Sequence, residues 1–528
     1  MTDTPADGLP VRPRATDVEP YGIETIPAHH RHSRPLDLFR ITFGGANTFA
    51  TIILGTLPIA TGLSFWNAVL ATVTGVVIGA LILSPMALFG PRTGTNNAVS
   101  SGAHFGVVGR IVGSYLSLLT AVAFYAISVW VSGDAFVGGA NRLFHVPDSD
   151  VVRGLVYAAF GLLVIVICVY GYAFMLLVNK VVVVAGTALI LLAIVAYAPT
   201  FDASYAGDPS RYLNGSFSAT FAASVLVTMA NPISFGAFLG DWSRYIPDTY
   251  RPRTLMAAPF FAQVCSLIPF LFGVATATLV TDASDYTAGL IKVSPLWYAL
   301  LLLVVAFLGG MSTGVTSLYG TGLDFSSVFP RLSRVRSTLL IGTLAFAFII
   351  VGRFVFNLVA SINAFTTLII LCTSPWMVIM TIGYFVRRGH YVPADLQVFN
   401  RGQLGGTYWF TRGVNWRPMF AWIFATVAGL SFANVPPLLE GPFRNAANGI
   451  DISLVVTLLS AVVLYVAALY VFPEPSFVFP DEGPRGVPAR PGSRPPVVDD
   501  PKASVHRVRH RQKVKAERTT VSPEEFPS

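Results

Sequence analysis

The chain has 528 residues, of which 53% are hydrophobic and only 12% charged, whereas ordinary soluble domains carry charge on about a quarter of their residues. This balance excludes a soluble enzyme or nucleic-acid-binding domain as the main body. The net charge of +8 sits mostly in short loops and in one terminal tail, where it reads as a topology signal.

Residues 1–40 are polar and lack the apolar core and small-residue cleavage site of a signal peptide. Beyond them, stretches of the roughly 20 apolar residues that a bilayer-crossing helix needs recur about twelve times. They lie near 41–62, 65–89, 113–133, 152–171, 179–198, 217–240, 254–280, 296–320, 337–353, 355–386, 418–437 and 451–472. The predicted architecture is an all-α polytopic membrane protein. With the N-terminus inside, the cytoplasmic loops collect Arg92, Arg110, Arg244, Arg251, Arg253, Arg331, Arg334, Arg336, Arg387 and Arg388, while the outer ones hold few cations, such as Arg142 and Lys292. Positive residues accumulate on the cytoplasmic side, so both termini are expected there. The expected organisation is a cytoplasmic tail over 1–40, a transporter domain over 41–472, and a basic, disordered cytoplasmic tail over 473–528 with a Pro-rich lead from Pro484 to Pro501. The run from His506 to Arg518 reads as a solvated segment near anionic lipid, not a nucleic-acid site. Cys168, Cys265 and Cys372 each fall in an apolar span and read as small buried hydrophobes. His29, His30 and His32 form a tail cluster that is weak evidence for a metal.

Irregular backbone at membrane depth survives only where it is buried or lines a cavity, so interruptions in the spans mark the place to look. The first span contains Gly44, Gly45, Ala46, Asn47 and Thr48 in succession; the sixth contains Asn231, Pro232, Ile233, Ser234, Phe235 and Gly236. Gly and Pro in membrane helices mostly serve packing, but paired breaks at matching positions of two repeats point to a transporter's midplane binding site. Asn47, Thr48 and Asn231 are then candidates to hydrogen-bond a substrate. The eighth span, Gly309 through Gly320, is dense in hydroxyls. Its Ser and Thr can simply bond back to the preceding turn; alternatively Ser312 and Thr313, with the carbonyls of Gly45 and Ala46, supply hard oxygens to Na⁺. Asp134, Asp241 and Asp324 all lie near span ends, which makes a carboxylate proton relay less obvious than a sodium site. Gly310-Met311-Ser312-Thr313-Gly314 matches the hydrolase pattern G-x-S-x-G, but on an apolar helix, without the strand–turn–helix that gives it meaning; no enzyme is expected.

Four motifs together resemble the nucleobase:cation symporter (purine–cytosine permease) family. They are Pro20-Tyr21-Gly22-Ile23-Glu24; Gly90-Pro91-Arg92-Thr93-Gly94; Gly240-Asp241-Trp242-Ser243-Arg244-Tyr245; and the stretch from Asp395 through Gly413-Val414-Asn415-Trp416-Arg417. The resemblance spans about residues 20–470 and implies a LeuT-type fold with a five-plus-five inverted repeat and two further C-terminal helices. It also implies a symporter in the cell membrane that imports a nucleobase or related heterocycle, such as cytosine, a purine or uracil, coupled to Na⁺ or H⁺. Allantoin, a hydantoin or a vitamin-type ring is the alternative cargo, and a facilitative channel or membrane-embedded hydrolase the alternative class. No other cofactor is expected, and the oligomeric state is left open. In the family an aromatic of the third span stacks on the ring, which corresponds here to Tyr125. A second aromatic often occupies the sixth-span break, where this chain has Asn231-Pro232 and offers Phe235 instead. An Asn of the eighth span corresponds to Thr316 and Ser317. Asn357 and Asn363 of the tenth span are weighed as substrate ligand or interhelical glue, with Asn363 retained as the candidate.

Overall fold

In a computed structural model, the structure describes residues 18–280, 286–355, 358–435, 439–492 and 495–498, with the side chains of 353–364 outside the description. Among the described residues ten helices are long and apolar enough to cross a membrane, and an eleventh span is the bent pair Pro35–Ala46 and Phe49–Ala60. The expected span at 418–437 is the helix Trp416–Phe432, at 17 residues slightly shorter than its neighbours. The apolar stretches are helical because a spanning segment must satisfy every backbone N–H and C=O internally. Exposed leucines, valines and phenylalanines along them, such as Leu119, Ile194, Val351 and Leu459, are the lipid-facing surface.

Small residues set the packing at the centre. The third span, Ile111–Phe144, runs against the eighth, Leu296–Val328. A β-carbon at Gly310 would press on Ser132 Cβ at 2.7 Å, and one at Gly314 on Val164 at 2.7 Å. Without a hydrophobic drive between helices in lipid, such close approach is what holds a bundle together.

The two termini depart from the tails expected of them. Glu19 is buried, accepting from Arg244 at 2.6 Å, from Tyr319 at 3.0 Å and from the Tyr172 N–H at 3.0 Å. The N-terminal segment is thus fastened to the start of the fifth span, to the eighth span, and to Arg244 just after the short helix that follows the sixth. At the other end, residues 473–492 do not form a free tail. Glu474 forms a buried ion pair with Arg387 at 2.8 Å and accepts from Asn415 at 2.6 Å. Glu474–Pro475 also pairs in parallel with Ala489–Arg490, and Val478 is fully buried. Further on, the Pro496 carbonyl accepts from the Gly406 N–H at 2.8 Å. A Pro-rich composition suggested disorder, but a buried carboxylate with two charge-assisted partners pins the segment. The basic run 506–518 and Asn357 lie outside the described residues.

Candidate functional site

The first span breaks at Asn47 and Thr48, where its two helical segments meet at 59°. Thr48 is extended (φ −140°, ψ 163°) and caps the second segment, accepting from the Thr51 N–H at 3.4 Å. The last carbonyls of a helix lack intrahelical donors. That of Gly45 accepts from the Thr313 hydroxyl at 3.1 Å, and that of Ala46 from the Thr48 N–H at 3.0 Å. Glycine at 45 lets the sixth and eighth spans come close, since a β-carbon there would lie 3.1 Å from Thr316 Oγ1 and 3.2 Å from the Phe235 ring. The sixth span keeps helical form through Pro232 to Ser234, tightens into a 3₁₀ turn over Phe235–Ala237, and resumes as the short helix Leu239–Ser243. Its interruption therefore falls a few residues beyond Asn231-Pro232.

Between the two breaks and the eighth span lies a narrow, nearly closed cavity. Phe124, Phe235 and Phe238 give it aromatic walls, and Gly45, Thr48, Thr51, Asn231, Ser234, Thr313, Thr316 and Ser317 give it polar ones. Asn231 Nδ2 sits 3.4 Å from Thr51 Oγ1 across the cavity. Thr316 bonds back to the Ser312 and Thr313 carbonyls at 2.9 and 3.1 Å, whereas the Ser317 hydroxyl makes no such turn-closing contact. No lining residue carries a formal charge.

Of the candidates from sequence, Gly45, Thr48, Asn231, Phe235, Thr313, Thr316 and Ser317 converge here, and four others do not. Tyr125 is fully buried away from the cavity, its hydroxyl donating to the Gly161 carbonyl at 2.9 Å; the residue facing the cavity is its neighbour Phe124, which packs edge-on against Phe365. A buried phenol needs an acceptor, and Tyr125 finds one between helices, while a phenylalanine can face an empty space without leaving a polar group unpaired. Asn47 points the other way, donating to Thr187 Oγ1 at 2.9 Å beside the π-helical turn Val182–Gly186 of the fifth span. Ser312 donates to Asn179 Oδ1 at 2.7 Å, so its oxygen is not aimed with that of Thr313 at the first-span break. The Ala46 carbonyl closes the local turn onto Thr48. The side chain of Asn363 lies outside the described residues.

Of the third-span aromatics Phe124, Tyr125 and Trp130 that the sequence offers for stacking, the reading chose Tyr125 over Phe124, and it missed Thr51, Ser234 and Phe238. Thr51 carried a signal, since it lies one turn beyond Thr48 on the same helix face. Phe124 carried none that separates it from Tyr125.

A family model for permeases for cytosine/purines, uracil, thiamine and allantoin matches residues 25–457. The chain belongs to this permease family. It is 25% identical over 461 residues to YxlA of Bacillus subtilis (strain 168), named provisionally as a purine-cytosine permease, with 85% of this chain and 95% of that one covered. Among solved structures it is similar to Mhp1, a nucleobase-cation-symport-1 family transporter in a closed conformation with bromovinylhydantoin bound. The TM-score is 0.67 at 20% identity, covering 88% of this chain and 98% of that one. A Na⁺-coupled sialic acid symporter, in a substrate-bound outward-open state, gives 0.55 at 16% identity, covering 88% and 93%. The permease is thus a multi-pass membrane transporter of the LeuT-type fold, and the breaks of spans one and six are those of its two repeats.

Proposed function

We propose that the permease imports a neutral, flat heterocycle of the nucleobase type by alternating access, driven by a cation bound beside the first-span break. The observation that carries this reading is the neutral cavity itself: rings from the third and sixth spans flank amide and hydroxyl groups at the meeting point of two broken helices. A nucleobase offers π-faces and amide-like edges, which such walls can stack on and hydrogen-bond. Phe124 and Phe235 are assigned to the faces, and Asn231, Thr48 and Ser317 to the edge. A charged cargo would lack a counter-charge here.

Thr313 Oγ1 and the Gly45 carbonyl, 3.1 Å apart, supply two hard neutral oxygens from different helices, chemistry that suits Na⁺. Binding an ion there would tie the first span to the eighth. Further along the same helix faces lies an open crevice lined by Leu57, Thr61, Ser224 and Val227, on the side away from the buried N-terminal segment. This crevice supports an approach route from outside, with both termini cytoplasmic and the protein in the cell membrane.

The test is a thermal-shift screen of the purified protein against bases, hydantoins and ureides, each in Na⁺ and in choline, because a ligand of the folded state stabilises it by mass action. Stabilisation by one ring class, larger in Na⁺, is the expected result. Stabilisation by amino acids or sugars but by no heterocycle would overturn the assignment.

A further inference from the structure

Beneath the cavity, two carboxylates border a common space and neither forms an ion pair among the described residues. Asp241 stands on the short helix after the sixth-span break and Asp324 on the eighth span; both are fully buried. A β-carbon at Gly320 would lie 2.8 Å from Asp241 Oδ2 and 3.9 Å from Asp324 Oδ2, so both carboxylates border the space left by that glycine. Both oxygens of Asp241 and Oδ2 of Asp324 are without a hydrogen-bond partner. The Asn97 N–H and the Ser117 hydroxyl are the polar groups beside them, and Asn96 Nδ2 reaches Asp324 Oδ1 only at 3.5 Å.

The neighbouring arginines make their hydrogen bonds to other groups, although Arg244 still attracts Asp241 through space. Arg244 is the nearest cation to Asp241, yet it donates to Glu19 at 2.6 Å, to Tyr319 at 3.1 Å and to the Gly22 carbonyl. Glu19 itself adds negative potential at Asp241. Arg334 donates to the Cys168 and Val169 carbonyls, and Arg110 to Ser327 O and Asn400. Two unpaired carboxylates at low dielectric repel strongly and are poorly solvated, so the pair is stable only when it shares a proton.

We propose that Asp241 and Asp324 form a proton-binding pair, one acid donating to the other's carboxylate, which holds a single H⁺ while the sixth and eighth spans are together and releases it to water when they part. Resting on the transport reading above, this adds proton linkage at a site about 16 Å along the eighth span from Thr313. Asp241 follows the sixth-span break directly, so movement of that half-helix separates the acids, ends the shared hydrogen bond and lets water reach both.

Infrared spectroscopy of the full-length protein in lipid tests the pair without any substrate. The wild type is expected to show a protonated-carboxyl stretch at neutral pH that shifts in D₂O, and Asp241→Asn and Asp324→Asn should each lose it. Absence of that band from the unmodified protein, or its survival in both variants, would overturn the proposal. In proteoliposomes, an inward proton gradient should accelerate wild-type uptake, and Asp324→Asn should abolish this response while still binding the ring found by thermal shift. An undiminished gradient response in the variant would also overturn it. Failure of every heterocycle to bind would refute the cargo assignment instead, and the infrared result would still decide the pair.

Discussion

Thr48, Asn231, Thr313 and Ser317 line the central cavity with neutral groups, whereas the layer below it holds Glu19, Arg244, Arg387 and Glu474, all similarly buried. The charged groups of that layer survive burial because each has several partners. Arg387, for example, reaches Glu474, the Ala103 carbonyl and the face of Tyr408. In the cavity, by contrast, the Asn231 amide reaches its neighbour Thr51 only at 3.4 Å. Substitutions at these ion-paired groups should therefore act on folding, and those in the cavity on ligand affinity.

The largest effect is expected at the Arg387–Glu474 pair. Removing one partner of a buried ion pair strands the other, at about 3–5 kcal/mol of stability, so Glu474→Ala should lower the unfolding midpoint of the solubilised protein sharply. The double variant Arg387→Met with Glu474→Leu should recover most of the loss. A truncation after Phe472 should resemble Glu474→Ala, while one after Val498 should leave the midpoint unchanged. If all of these behave like wild type, the docked C-terminal segment contributes nothing to the fold.

In the cavity, Phe124→Ala should weaken binding of the heterocycle by about 0.5–1.5 kcal/mol of ring–ring interaction plus the apolar area lost, read by calorimetry. Smaller still, Tyr125→Phe should leave affinity unchanged and reduce stability by about 0.5–1.5 kcal/mol, the net value of its hydrogen bond to Gly161. A loss of affinity in Tyr125→Phe with none in Phe124→Ala would reverse the assignment of the two rings.

This pair of neighbours also shows how far the sequence could be read. The broken spans were visible because Gly44-Gly45 beside Asn47, and Asn231-Pro232 before Gly236, are local chemistry that an uninterrupted membrane helix has little use for. Which side of a helix faces the cavity was not visible. The third span is buried by its neighbours over most of its surface, so burial alone does not single out the cavity face, and successive residues point about 100° apart. The same ambiguity misdirected Asn47 and Ser312, whose partners Thr187 and Asn179 come from the fifth span; such pairings depend on how helices dock. The C-terminal segment failed for a different reason: its composition is that of a loose tail, and Glu474, which forms its buried ion pair, has its partners 87 and 59 residues away in the chain.

The structure also divides Ser312 from Thr313, and that division gives the most direct test of how cavity and ion are linked. If Thr313 Oγ1 and the Gly45 carbonyl hold the coupling cation, ion and heterocycle must strengthen each other's binding by the same factor. Substrate affinity is to be measured in Na⁺ and in choline for the wild type, Thr313→Val and Ser312→Ala, each checked for folding. The account predicts tighter binding in Na⁺ for the wild type, loss of that difference in Thr313→Val, and its retention in Ser312→Ala. A wild type indifferent to Na⁺, or a Thr313→Val variant that keeps the full Na⁺ effect, would contradict it.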